Sequence, residues 1–70
     1  MTAYSAAQRA RIAADHDRWA TNREATAARL AAQGDDIGAG TFTRGAQECR
    51  EVAAAARTSS EALEDVFDPL

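Results

Sequence analysis

Gly34-Asp35-Asp36-Ile37-Gly38-Ala39-Gly40 is the stretch on which the fold turns. Three glycines and two aspartates in so short a run are turn chemistry: glycine accepts backbone angles closed to other residues, and aspartate bonds its own neighbouring backbone. The segment predicts an inter-helix loop over 34–40. A phosphate cradle would need a following Gly-Lys-Ser/Thr and a flanking strand, and Asp35 and Asp36 would repel phosphate. The twelve-residue spacing that would make the aspartates a calcium loop is missing as well.

Upstream, no glycine or proline interrupts Ser5 to Gln33, and alanine, the best helix former, dominates the run. Ser5 with Gln8 three positions on has the form of a capping box, and Gly34 is the residue expected just past a helix C-terminus. A first helix is predicted over about 5–33, roughly 43 Å long at 1.5 Å per residue. Downstream, Thr41 or Thr43 is the expected N-cap of a second helix over about 41–67, and Pro69 ends any helix beyond.

The second helix carries Phe42, Ala46, Cys49, Ala53, Ala56, Ser60, Leu63 and Phe67 at alternating spacings of four and three, an unbroken heptad stripe. Its middle is small and its ends are large. On the first helix Ile12, Trp19, Thr26 and Leu30 share a face, with the largest side chain near the centre. If facing residue numbers sum to about 75, Trp19 meets Ala53 and Ala56, Ile12 meets Leu63, Thr26 meets Cys49 and Gln8 lies near Phe67, so that large packs on small. The fold class expected is all-α, an antiparallel two-helix hairpin of coiled-coil type. Its candidate interface is Ile12, Trp19 and Leu30 on the first arm, with Phe42, Cys49, Ala53, Ala56, Leu63 and Phe67 on the second.

Charge supports the same pairing. The net charge is −3, but residues 1–34 hold five arginines against three acids, and residues 35–70 hold three arginines against eight acids. The predicted register sets Arg11 near Glu64, Arg23 near Glu51 and Arg9 near Asp65. Exposed pairs of this kind contribute about 0–1 kcal/mol each, enough to favour an orientation and little more.

Seventy residues make one domain, and a chain of that size buries only about 60% of the surface its unfolded form exposes. The single cysteine, Cys49, allows no internal disulfide, and no Cys/His spacing suits a structural zinc. The staple that remains is oligomerisation or docking on another protein. Chemistry-bearing clusters are few. Asp15-His16-Asp17 is the one arrangement suggestive of a base or a metal ligand, yet adjacent helical residues point about 100° apart, so the two carboxylates cannot both orient the imidazole. Cys49 in the stripe reads as a small buried hydrophobe, with a disulfide between copies as the functional alternative. No nucleophile–base arrangement and no Glu-x-x-His pair is evident, so neither catalysis, a metal nor a cofactor is expected.

The functional expectation is a non-enzymatic interaction or assembly module, pairing with itself in a four-helix arrangement or with a larger protein. The first alternative is nucleic-acid binding through Arg9, Arg11, Arg18, Arg23 and Arg29, which Asp15, Asp17 and Glu24 interrupt. Glu61 to Leu70 alternates acidic and bulky apolar residues and reads either as a docking peptide or as a clamp on the Tyr4 end of the hairpin. No membrane-spanning run and no signal peptide is present, so a soluble, cytoplasmic chain is expected. In outline the chain resembles the small helical hairpins of type VII secretion. Those carry Trp-x-Gly at the turn and Tyr-x-x-x-Asp/Glu after the second helix; here Trp19 is mid-helix, the turn is Gly34-Asp35-Asp36, and no tyrosine follows. The resemblance is one of architecture, and it implies export without a cleaved signal as a second alternative.

Overall fold

A computed structural model describes residues 3–67. Three helices form: α1 (Ala6–Ala32), α2 (Asp36–Thr58) and α3 (Ser60–Phe67). Ser5 caps α1 as its sequence suggests: its hydroxyl accepts the Gln8 N–H at 3.1 Å, and its own N–H donates to the Gln8 side chain at 2.8 Å. At the other end Gly34 takes φ +84°, its N–H reaches Ala31 O at 3.0 Å, and the Asp35 N–H reaches Leu30 O at 2.9 Å. This is the Schellman closure, which satisfies carbonyls the helix end leaves orphaned.

The connector is shorter than the expected 34–40 loop. Only residues 33–35 lie outside the helices, because Asp35 serves as N-cap of α2 and its carboxylate accepts the Gly38 N–H at 2.9 Å. The expected caps Thr41 and Thr43 are therefore inside α2; the Thr41 hydroxyl donates to Ile37 O at 3.1 Å. Gly38 and Gly40 are helical despite a cost of about 1 kcal/mol each relative to alanine, since a capped N-terminus and a packed face outweigh propensity.

Moving the turn moves the register. The midpoint shifts from Ile37 to Gly34, and an antiparallel pair pivots on that midpoint. Ala13 clusters with Ala53 and Ala56, and Ala20 with Ala46 and Cys49, so facing numbers sum to about 68 rather than 75, a displacement of one heptad. The α2 stripe keeps its place, with Ala46, Cys49, Ala53 and Ala56 buried. On α1 the seam is Ala13, Ala20 and Ala27, one residue round from the expected Ile12–Trp19–Thr26 face. Small against small brings the helices close, as a three-residue connection demands, and pushes large side chains to the flank. Trp19 is 45% exposed and does not pack on Ala53 and Ala56 in the seam.

The second arm is not continuous. At Ser59 the backbone is extended (φ −171°, ψ 165°), ending α2, and the Ser59 hydroxyl accepts the Ala62 N–H at 3.0 Å to start α3. α3 doubles back. Ser60 Oγ accepts the Tyr4 N–H at 2.8 Å, Leu63 packs among Ala13, Ala53 and Ala56 with Ile12 and Val52 beside it, and the Phe67 ring lies 6.2 Å from that of His16. A straight helix could not bring Leu63 to Ala53, ten residues upstream and about 15 Å along the axis. α3 thus folds back against the end of α2 and reaches the α1 side through Leu63 and the Phe67 ring. Leu63 is the one large side chain fully buried among the described residues. The clamp reading of the tail agrees with the 6.4 Å Tyr4–Phe67 ring contact; Asp68, Pro69 and Leu70, the end of the suggested docking peptide, lie outside the described residues.

Candidate functional site

The alanine seam divides the hairpin into two unlike faces. At 100° per residue, Asp17 and Glu24 lie on one side of Ala13–Ala20–Ala27, and Ile12, His16, Trp19 and Arg23 on the other. Arg50 and Arg57 of α2 meet the first side. Arg50 donates to Asp17 at 3.1 Å and to Glu24 at 2.8 Å, and Arg57 donates to the second oxygen of Asp17. The hydrogen bond from Arg57, with that from Arg50 beside it, holds the Asp17 carboxyl below its usual range. Glu24 and Asp17 in turn raise the Arg50 guanidinium above its ordinary value.

These pairs reverse the expected polarity. Acids of the basic arm meet bases of the acidic arm, and Arg11–Glu64, Arg23–Glu51 and Arg9–Asp65 do not form. The heptad displacement is the cause, since it moves every charge two turns along its partner. Arg9 instead donates to Ala56 O at 3.0 Å, answering one of the last carbonyls of α2, while its Nε is buried without a partner.

The second face is half covered. α3 covers part of the stretch between Tyr4 and His16, touching both, and beyond His16 the surface is open. There Trp19, Asn22, Arg23, Thr26 and Phe42 line a groove of about 410 Å³. A smaller recess of about 220 Å³ adjoins it, bounded by His16, Arg23, Gly45, Glu48, Cys49 and Val52. Arg23 is shared by both. Its stem crosses Gly45, where an added Cβ would stand 3.1 Å from Arg23 Cδ, and its Nη1 donates to Cys49 Sγ at 3.1 Å. Arg23 makes no ion pair among the described residues.

The predicted site residues separate accordingly. Cys49, Ala53, Ala56 and Leu63 belong to the interior; Ile12 and Leu30 are half-buried; Trp19, Phe42 and Phe67 stand on the open face, 45%, 38% and 48% exposed. Asp15 and Asp17 turn away from His16, to Arg18 and to the Arg50–Arg57 pair. His16 Nδ1 is 2.9 Å from Ile12 O, and its ring meets that of Trp19 edge-on at 4.7 Å. The recess does bring His16 and Cys49 to one place, but the thiol takes its hydrogen bond from Arg23. Among the described residues no three His, Cys, Asp or Glu side chains converge as a metal site, and no helix is long and apolar enough to cross a membrane.

Two features of this face were not read from the sequence: the break at Ser59 and the special place of Arg23. The first had a signal in Thr58-Ser59-Ser60, three cap-forming residues in a row, with Glu61 in the first turn after them. The second had none, because only the observed register brings Arg23 over Gly45. Comparison with protein-family models, with curated proteins and with solved structures returned no match.

Proposed function

We propose that this chain is a non-enzymatic protein-interaction module whose working surface is the open half of the α3-bearing face. One observation carries the reading: Trp19 and Phe42 line the open groove and Phe67 stands at its edge, all exposed, as is Ile37 at the turn, while Leu63 is the one fully buried large side chain among the described residues. Large apolar side chains gathered on one surface mark an interaction site, and a domain this small gains stability by covering them. The groove offers two rings and the Arg23 guanidinium, and the Cys49 thiol beside it is occupied by the hydrogen bond from Arg23, which suits docking better than bond-making.

Nucleic-acid binding through the first helix is the weaker reading. Of its five arginines, Arg9 is committed to Ala56 O, Arg18 to Asp15 and Arg23 to Cys49, so they do not form one phosphate-facing row.

Thr26→Glu tests the proposal by placing a charge in the groove at a helical position that should tolerate it. The variant should keep its far-UV circular dichroism and lose association both with itself and with any protein that co-purifies with the wild-type chain. Unchanged associations in a folded Thr26→Glu variant would sink the reading.

A further inference from the structure

The partner of the open half-face, if that surface is the working one, can be read from its shape and charge. We infer that it is a second copy of this chain, related by a two-fold axis that lies in the face, crosses the hairpin between His16 and Trp19 and runs perpendicular to its long axis.

Shape comes first. The molecule is 47 Å long, and α3 covers one half of its face near Leu63, Phe67 and His16 while leaving the groove at Trp19 and Phe42 bare. The other half is a step down. A step of this kind is self-complementary under a two-fold axis at its riser: each α3 enters the other copy's open half, and the two α3 helices lie end to end between two hairpins. The lengths agree. The open half runs from Trp19 to the end of α1 at Ala32, about 20 Å, and α3 needs about 12 Å.

Charge points the same way. α3 carries Glu61, Glu64 and Asp65 and no basic residue, whereas the groove carries Arg23, which makes no ion pair among the described residues although Glu48 lines the adjoining recess. α3 starts beside Tyr4 at Ser60 and points toward His16, and the Phe67 ring at its end reaches those of both Tyr4 and His16. Rotation about the axis sets the second copy's Glu64 and Asp65 at about the level of Arg23. It also gathers Trp19 and Phe67 of both copies around the axis, where their exposed surface is covered. The other face-to-face arrangement, with the axis along the hairpin, stacks α3 on α3 and acid on acid. Like charges placed together cost several kcal/mol in an interface, so that alternative is rejected. Isologous pairing is also the commonest form of homo-oligomer.

Trp19 is the sole tryptophan, so its emission reports directly on the groove. Sedimentation equilibrium and Trp19 fluorescence should be followed together from about 1 μM to about 0.5 mM, a range that brackets dimers of micromolar Kd. The expected result is a dimer whose formation shifts Trp19 emission to the blue. Arg23→Glu should weaken it about tenfold or more, and the same chain carrying Glu64→Arg and Asp65→Arg as well should regain most of that loss. Circular dichroism of each variant separates weakened pairing from unfolding, and recovery in the triple variant cannot come from a general loss of fold. A dimer with unshifted Trp19 emission, or no recovery in the folded triple variant, overturns the inference. So does a chain that stays monomeric throughout; a Thr26-dependent complex with a different protein would then preserve the interaction reading while disposing of self-pairing.

Discussion

Leu63→Ala should release α3 from the hairpin without unfolding the hairpin itself. Leu63 is 0% exposed and sits among Ala13, Ala53 and Ala56, whose methyl groups are fixed to helical backbones and cannot swing in to fill the space. Leucine-to-alanine changes cost about 2–5 kcal/mol, toward the upper part of the range where the cavity does not collapse. A loss of about 3–4 kcal/mol is therefore expected here. Against a total of roughly 3.5–10 kcal/mol for a chain of this length, that is a large fraction. Its effect is local because α3 is eight residues long and cannot hold a helix alone once its anchor is gone. Far-UV circular dichroism should lose about one-seventh of its helical signal, since α1 and α2 hold most of the helical residues and survive. Urea titration would then show a hairpin transition that remains cooperative, with the Tyr4 and Phe67 resonances moving to solvent-exposed positions in the NMR spectrum. A variant with full helical signal and less than about 1 kcal/mol of lost stability would refute the placement of Leu63 as the anchor of α3.

Two further expectations follow from the caps and the charged face. Gly34→Ala should cost about 1–2 kcal/mol, all of it backbone strain at φ +84°, because an added Cβ meets nothing within 4 Å. D-alanine at position 34, which accepts that angle, should instead be neutral or stabilising by urea titration. Asp17, whose carboxyl is held below its usual range by Arg57 and Arg50, stabilises the fold above its unfolded-state pKa and ceases to as pH falls through the lower folded value. The stability difference between wild type and Asp17→Asn should accordingly be present at pH 7 and shrink toward zero in strong acid; a difference independent of pH would contradict the ladder.

The sequence alone determined what depends on near neighbours. Alanine-rich periodicity made the helices, Ser5 and Gln8 wrote a cap that forms as read, Gly34 ended α1, and the heptad spacing of Ala46, Cys49, Ala53 and Ala56 named the seam of α2. These are local signals or signals repeated along one helix, so they survive without knowledge of the partner. Tertiary structure decided the rest. A heptad pattern looks the same after a shift of seven residues, so only the Asp35 cap, by closing the turn at 33–35, selects the register, and with it the Asp17–Arg50–Arg57 ladder in place of Arg9–Asp65 and Arg11–Glu64. Propensity likewise cannot choose between a straight and a broken second arm, because an alanine-rich helix continues readily through serine. The gain that breaks it is the burial of Leu63 against α1, a contact between segments some fifty residues apart. That fold-back leaves Trp19, Arg23 and Phe42 uncovered and so creates the half-face on which the proposed function rests.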